Sequence, residues 1–380
     1  MPRHRGAFRP RSNDHVIAVL MLLPTLVLLA VFVYGFIGST AWMSLTDWGS
    51  NPAQALALDP EVAFVGLANY ERLFTSGLNA RFRQDLVNTF FFTVFFIVGC
   101  VSLGLGLAVL LDQRVRGEGF FRTVFLFPFA LAFIVTGTIW RWMLQPQGGV
   151  NRLPELIGLP PFQFGWLTSR QQVWQFLWQD LPVFLGALLA LVALWQVWRT
   201  WRRGGRLSAG AWGGVALALA VWTLSGAPGV ALPARPETHG FNLAFLGIIL
   251  ASIWQMSGYT MALYLAGLRG ISDDLREAGR IDGATEWQLY RHVILPLLGP
   301  VTLSAMIILG HISLKIFDLI WAMAGADNAE TDVPALLMYL RSFRANRFAE
   351  GAAIAIVLLL MVAAVIVPYL RSTLRREKAA

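Results

Sequence analysis

Side chains that could carry out chemistry are few in this sequence and lie far apart. The five histidines are scattered, and none has the His-Glu-x-x-His spacing of a catalytic zinc site. A phosphate-binding loop needs Gly-Lys-Ser/Thr, but the two lysines, Lys315 and Lys378, follow leucine and glutamate. The Gly-x-Ser-x-Gly elbow of a serine hydrolase is also absent. The sequence therefore predicts a chain that is not an enzyme and holds no metal or cofactor of its own.

A compact polar segment, residues 277–284, separates two long apolar stretches. Its small residues leave room for the backbone of another protein to approach, and Glu277 offers a charged hydrogen-bond acceptor. The residues assigned to docking are Glu277, Ala278, Gly279, Asp282, Gly283 and Ala284. From these residues alone two interpretations stay open: a docking site for a soluble partner, or an amphipathic loop resting on lipid headgroups.

Local signals predict a helix, a tight turn and a second short helix around this segment. Ser272 is positioned to cap the first helix, and Gly283 to end it. Thr285 and Gln288 have the spacing of a capping box. Pro296 is then expected to start the next apolar helix.

Two further groups of residues are candidates for contact with a substrate. A polar and aromatic cluster lies within an apolar stretch and consists of Trp254, Gln255, Ser257 and Tyr259. This mixture suits the hydroxyl rim and apolar faces of a sugar. Lys315 and Asp318 are three residues apart, so on one helix they would pair on one face. They would then fix helix packing or line a path.

Trp321 lies close to that charged pair and offers a flat ring to a sugar. Ionisable groups inside a membrane are costly and often functional. The candidate substrate-path residues are therefore Trp254, Gln255, Tyr259, Lys315, Asp318 and Trp321.

Composition places most of the chain in a lipid bilayer. Of 380 residues, 56% are hydrophobic and 14% charged, whereas a soluble domain is about a quarter charged. Unpaired backbone groups are unsatisfied in lipid, so each apolar stretch of sufficient length is predicted helical. Eight stretches qualify, near 16–37, 86–111, 121–143, 181–198, 207–227, 243–267, 297–321 and 350–370. The predicted fold is an all-α membrane protein, a polytopic bundle of about eight helices whose first span is not cleaved.

The distribution of arginine predicts the orientation. Nineteen of the 30 Lys and Arg residues fall on one side of the predicted bundle, together with both termini, and ten on the other. Because positive charge is concentrated in cytoplasmic loops, both termini are predicted to lie inside. The net charge of +8 is therefore a topology signal, and no nucleic-acid partner is expected.

The polar loop resembles the Glu-Ala-Ala-x3-Gly-x9-Ile-x-Leu-Pro motif of the membrane subunits of binding-protein-dependent ABC importers. Here the motif reads Glu277-Ala278-Gly279, Gly283, Val293 and Leu295-Pro296, with Gly and Val as mild departures. Three other segments are similar to the sugar-permease branch, of the maltose-transporter larger-subunit type: 64–70, 315–321 and 346–354. The resemblance covers most of the chain apart from about 181–235.

The resemblance implies a six-helix core of the ABC type I importer kind in the prokaryotic cytoplasmic (inner) membrane. It implies a second, related permease subunit, a cytoplasmic ABC ATPase dimer that carries ATP and Mg, and an extracytoplasmic solute-binding protein. The segment from Glu277 to Ala284 would sit in a cleft of the ATPase, and the loop 272–296 would couple ATP turnover to sugar import. A glycerol-phosphate or polyol importer is the nearest alternative. The distant alternative, an ion-coupled secondary transporter, would need ionisable coupling residues near the midplane and repeated halves, but the sequence offers one Lys–Asp pair and no visible inverted repeat.

The expected organisation follows from these spans. A cytoplasmic tail, 1–15, precedes the first part of the transmembrane core, 16–180. An inserted transmembrane hairpin, 181–235, comes next. The permease core, 236–371, contains the ATPase-docking loop 268–296, and a cytoplasmic tail, 372–380, follows.

Overall fold

The computed structural model describes residues 12–51, 53–54, 61–113, 115–225, 237–326 and 328–377. Within them the α-helices are Ser12–Leu29, Phe36–Ser44, Ala68–Thr75, Ala80–Asp112, Glu118–Ala130, Phe133–Met143, Leu181–Arg202, Arg206–Leu224, Phe245–Arg269, Asp273–Ile281, Glu286–Leu289, Leu295–Leu297, Gly299–Leu314, Asp318–Ala324, Pro334–Tyr339 and Phe348–Glu377. Single π-helical turns occur at Ala30–Gly35, Tyr290–Ile294 and Leu340–Arg344, and short 3₁₀ helices at Gly77–Asn79, Gly149–Ile157, Trp178–Asp180 and Ala329–Thr331. Two β-strands, Gln172–Leu177 and Thr238–Asn242, complete the described fold.

The predicted helical bundle is confirmed. Among the described residues, six helices are long and apolar enough to cross a membrane. They are Val19–Ser44, Gly77–Asp112, Leu181–Arg202, Arg206–Leu224, Phe245–Arg269 and Phe348–Arg371. Two bent helix pairs raise the number to eight if each is one span. The predicted ends at 226–227, like the tail residues 1–11 and 378–380, lie outside the described residues.

Two predicted spans differ from the structure. The stretch 121–143 is not one helix: it breaks at Leu131, and its two halves are bent by 97°. The stretch 297–321 is also divided, because its helix ends at Leu314. A 63° bend precedes that helix, which begins at Gly299 rather than at Pro296. Hydrophobicity alone predicted continuous helices, since a backbone break inside a protein leaves the apolar composition unchanged.

The centre of the bundle is the packed pair of helices Ala80–Asp112 and Phe245–Arg269. A Cβ atom added at Gly104 would lie 2.2 Å from the Thr260 hydroxyl oxygen, so only glycine allows this approach. The same hydroxyl donates a 2.8 Å hydrogen bond to the carbonyl of Cys100. Small residues and hydroxyl groups commonly hold membrane helices together in this way.

One end of this helix pair is covered by the two strands and by the ion pair of Arg81 and Asp332, which together are called the polar cap. The two strands pair antiparallel, with Gln172 opposite Asn242. Asp332, fully buried, forms an ion pair with Arg81 at the start of the long helix. Burial raises the pKa of Asp332 to about 6, although the Arg81 guanidinium opposes the shift. The loop with Glu277 lies at the other end of the same helix, because it contacts Asp112.

The hairpin helices Leu181–Arg202 and Arg206–Leu224 pack mainly on each other. In their apolar stretches 11% and 6% of the residues are buried, against 61% in Phe245–Arg269. This exposure agrees with a peripheral, lipid-facing hairpin. The division of the chain into a core and an inserted hairpin remains a prediction, and residues 226–235 of the predicted insert lie outside the described part of the chain.

Candidate functional site

The polar loop folds as the predicted helix, turn and helix. Helix Asp273–Ile281 is followed by the turn at Gly283, whose φ of +80° suits glycine. The amide of Ala284 donates to the carbonyl of Gly279 at 3.0 Å, and the amide of Gly283 donates to that of Arg280 at 3.1 Å. These two bonds form a Schellman motif, which satisfies carbonyls at the end of the helix. The turn therefore holds one defined shape.

Both helix starts lie where the sequence predicts them. Thr285 and Gln288 form the capping box, because each side chain bonds the backbone amide of the other residue. Ser272 occupies the cap position of the first helix, but its side chain makes no capping hydrogen bond. Helical structure then continues through a π turn at Tyr290–Ile294.

The outer surface of this loop combines acidic, small and apolar side chains. Glu277, Ala278 and Asp282 are exposed. Two large apolar residues that sequence reasoning missed also stand out, since Ile281 is 85% exposed and Trp287 is 70% exposed. Apolar groups rimmed by polar ones mark interaction surfaces, and tryptophan is a frequent anchor at interfaces. The sequence does contain a signal for these two residues, because both are large apolar residues that flank the turn in an otherwise polar segment.

Gly279 has a role inside the loop. A Cβ atom added at Gly279 would lie 2.7 Å from Cδ1 of Leu289, which is only 1% exposed. The absent side chain therefore lets the second helix pack against the first. The docking roles assigned to Gly279 and its neighbours remain predictions.

Arg276 connects the loop to the ends of the two central helices. Its Nη1 atom lies 2.7 Å from Asp112 Oδ2, and its Nη2 atom donates to the carbonyl of Leu268 at 2.9 Å. The Arg276 and Asp112 side chains are 17% and 7% exposed. One guanidinium thus joins the first loop helix to Ala80–Asp112 and Phe245–Arg269. Arg276 and Asp112 are 164 positions apart in the sequence, and no local pattern indicates an ion pair between such distant residues, so this link was not predicted.

Other charged pairs on this side are more exposed. Arg269 pairs with Glu118 at 2.5 Å, and their side chains are 47% and 34% exposed. Arg280 pairs with Glu286 at 2.9 Å across the turn. That contact is the largest of the influences that raise the pKa of the Arg280 guanidinium. A cleft of about 700 Å³ lies beside these pairs, with Asp112, Arg276 and Tyr290 in its wall.

Gln255 lies at the break in the third span. It is 2% exposed, and its Nε2 atom donates to the carbonyl of Leu131 at 2.8 Å. That carbonyl is freed from helical bonding where Glu118–Ala130 ends. The described residues supply no partner for the Oε1 atom of Gln255. The amide therefore stabilises the broken backbone, a role that is independent of any contact with substrate.

The aromatic candidates lie against other rings. Trp254 meets Trp140 edge to face at 5.9 Å between ring centres, and Tyr259 stacks on Phe129 at 5.2 Å. These contacts place both residues where Phe245–Arg269 faces the broken span. Their contact with a substrate remains a prediction.

The expected pair of Lys315 and Asp318 on one helix is wrong. Lys315 is the C-terminal cap of Gly299–Leu314, and Asp318 begins the next helix, Asp318–Ala324. No ion pair joins them in the described chain. The backbone break between them removes the helical spacing on which the expectation depended.

Trp321 belongs to an aromatic cluster beyond that break. It stacks on Phe317 at 5.6 Å and meets Tyr339 edge to face at 5.2 Å. The Arg344 guanidinium carbon lies 5.5 Å from the centre of the Trp321 ring. Flat rings beside a cation suit a polar, ring-shaped ligand.

The bundle and its exposed helical loop define a polytopic transport subunit. The profile of the family described as "Binding-protein-dependent transport system inner membrane component" matches residues 119–377. The chain belongs to this family. It is an ABC transporter permease and a multi-pass protein of the inner membrane.

Similar proteins extend over nearly the whole chain. A probable ABC transporter permease protein of Pyrococcus horikoshii is 35% identical over 97% of this chain and 99% of its own length. The xylose/arabinose import permease protein of Haloferax volcanii is 31% identical, with 90% and 84% covered. The trehalose/maltose transport system permease protein of Thermococcus litoralis is 25% identical, with 95% of each covered.

A solved structure supports the fold. One chain of a bacterial ABC transporter involved in the import of the acidic polysaccharide alginate aligns with a TM-score of 0.62. The alignment covers 94% of this chain and 96% of that chain at 18% identity. At this identity the likeness supports the fold alone.

Proposed function

We propose that this chain is the permease subunit of an ATP-driven sugar importer and forms half of the path with a second permease. The sugar substrate class is inferred from similarity to relatives named for xylose/arabinose and trehalose/maltose transport, at 31% and 25% identity. Aromatic rings at Trp254, Tyr259 and Trp321 supply the apolar faces that sugar recognition requires.

The loop around Glu277 is the proposed contact with a cytoplasmic ATPase dimer, which carries the ATP and Mg. Ile281 and Trp287 would anchor in apolar pockets of the ATPase, since both are largely exposed here. Glu277 would accept a charge-assisted hydrogen bond at the rim. The Schellman turn and the capping box keep these groups in a fixed arrangement before binding, which lowers the entropic cost of docking.

Movement of the loop would reach the membrane through Arg276. Closure of the ATPase shifts the helix Asp273–Ile281, and the guanidinium carries that shift to Asp112 and to the carbonyl of Leu268. The two bonded helices form the centre of the bundle. A rigid lever of this kind biases a bundle between inward-open and outward-open states.

Transport by reconstituted vesicles tests the proposal. The chain is purified with its second permease and ATPase, placed in vesicles with ATP on the ATPase side, and supplied with its solute-binding protein. Labelled xylose, arabinose, trehalose, maltose and glycerol 3-phosphate are compared. We expect uptake of a sugar that requires both ATP and the solute-binding protein. Uptake of glycerol 3-phosphate alone, or uptake driven by an ion gradient without ATP, would contradict the assignment.

A further inference from the structure

The tip of the peripheral hairpin carries four arginines without a carboxylate partner among the described residues. They are Arg199, Arg202, Arg203 and Arg206, and all four are exposed. Three of the four arginines of the docking loop on the same side of the bundle behave differently, because Arg269, Arg276 and Arg280 each pair with an acidic side chain, and only the exposed Arg291 has no such partner among the described residues. The hairpin tip therefore presents positive charge that the described protein does not neutralise.

The tip lies on the side of the docking loop, and its cytoplasmic position rests on the proposed function, which puts that loop in the cytoplasm. Helix Leu181–Arg202 follows the strand Gln172–Leu177 after one short 3₁₀ helix, so it begins at the end of the bundle opposite the docking loop. A helix of 22 residues rises about 33 Å, which is enough to cross a hydrocarbon core of about 30 Å. Its last turn therefore emerges on the side of the docking loop, where anionic lipids give the leaflet a negative surface potential.

Two of the guanidinium groups rest on tryptophan rings. The Arg202 guanidinium carbon lies 4.0 Å from the centre of the Trp198 ring, and that of Arg199 lies 5.3 Å from Trp195. Indole rings favour the interface between hydrocarbon and headgroups, so they hold these cations at headgroup depth. A guanidinium that stacks on a ring face keeps the N–H groups along its edge available for hydrogen bonds. The planar, forked arrangement of these N–H groups matches the oxygens of a phosphate.

Below the tip, the sides of the hairpin are apolar and open to lipid. Leu188, Leu191 and Leu194 are each more than half exposed on the first helix. A phospholipid whose headgroup lies at the arginines would place its acyl chains along these side chains. The surface thus offers contacts of matching chemistry to both parts of one lipid molecule.

We propose that the hairpin tip is a binding site for the phosphate headgroup of an anionic phospholipid of the cytoplasmic leaflet. The site anchors the peripheral hairpin in the bilayer and does not depend on which solute the transporter carries. If the arginines served only to orient the chain, their charge would matter during insertion, but the finished protein would show no preference among phospholipids.

Native mass spectrometry of the intact transporter tests this site. The delipidated complex is titrated with phosphatidylglycerol or with phosphatidylcholine of the same acyl chains. The variant R202Q/R206Q is compared with R152Q/R170Q, which removes two exposed arginines from the opposite side. Each arginine near an anionic surface contributes about fivefold to affinity, so R202Q/R206Q is expected to bind phosphatidylglycerol about 30-fold more weakly.

The control variant and all binding of phosphatidylcholine are expected to change less than twofold. Equal binding of the two lipids by the wild type, or unchanged phosphatidylglycerol binding by R202Q/R206Q, would overturn the proposal. If R202Q/R206Q fails to assemble, R202K/R206K replaces it. Lysine keeps the charge but lacks the fork, so that variant is expected to bind more weakly than wild type while retaining a preference for phosphatidylglycerol.

Discussion

Replacing Arg276 with alanine is expected to uncouple ATP turnover from transport. Arg276 is bonded to both central helices, through the side chain of Asp112 and the carbonyl of Leu268. Removal of the guanidinium leaves the Asp112 carboxylate, which is 7% exposed, without its cation. The loop helix then loses its polar connection to the membrane helices, although its own caps and turn remain.

The structure sets the size of this effect. Removing one partner of a buried ion pair costs about 3 to 5 kcal/mol. Because Arg276 is 17% exposed, we take the lower end, about 3 kcal/mol. If this link carries the coupling, a change of that size corresponds to about a 100-fold loss of sugar moved per ATP.

The assay measures sugar uptake and ATP hydrolysis in the same vesicles. The variant Arg276→Ala is expected to keep its ATPase bound but to hydrolyse ATP with little uptake. Arg269→Ala is the matched control, because its pair with Glu118 is exposed and contributes about 0 to 1 kcal/mol. A charge swap, Asp112→Arg with Arg276→Asp, is expected to recover part of the uptake.

The proposed link is refuted if Arg276→Ala transports as many sugar molecules per ATP as the wild type. It is equally refuted if the Arg269→Ala control loses as much coupling as Arg276→Ala. Loss of the ATPase from the purified Arg276→Ala complex would instead assign the residue to docking.

Three further predictions concern packing, the broken span and the polar cap. Gly279→Val is expected to release the ATPase in co-purification, because the added Cβ collides with Leu289. Adding Leu289→Ala to this variant should partly restore binding. Unchanged ATPase binding by Gly279→Val would contradict the packing of the two loop helices. Gln255→Ala is expected to impair uptake while leaving assembly intact. It should also lower the melting temperature, because the unpaired Leu131 carbonyl costs about 1 to 3 kcal/mol. Unchanged uptake and an unchanged melting temperature would show that Gln255 does not stabilise the broken span. The folded chain binds the proton of Asp332 more tightly than the unfolded chain, so this contribution to stability is present below about pH 4 and lost as the pH rises through about 6. The melting temperature of Asp332→Asn should therefore rise relative to that of the wild type between pH 4 and 7. A difference between the two melting temperatures that stays constant over this range would contradict the raised pKa of Asp332.

Sequence patterns predicted those parts of the fold that depend on composition and local spacing. Six of the eight apolar stretches form continuous spanning helices, and the capping box of Thr285 and Gln288 is present, because both features depend on neighbouring residues. The turn at Gly283 was predictable for the same reason, because a positive φ favours glycine. Such features need no knowledge of distant parts of the chain.

Features that depend on distant contacts were not predictable. The break at Leu131 is stabilised by Gln255, which lies 124 positions away. The link between Arg276 and Asp112 likewise joins residues that only the fold brings together. For Lys315 and Asp318 the sequence even suggested the wrong geometry, since the helix between them ends. Spacing rules hold only while the backbone stays helical.

In the proposed mechanism, force from a separate ATPase enters the bundle through the loop at Glu277. A cysteine at Ala278 tests it directly, because Ala278 is exposed while the native Cys100 is buried. In oriented vesicles, a membrane-impermeant maleimide should label Ala278→Cys from the cytoplasmic side, and the bound ATPase should block the reaction. Labelling from the opposite side, or labelling that the ATPase does not slow, would contradict the account.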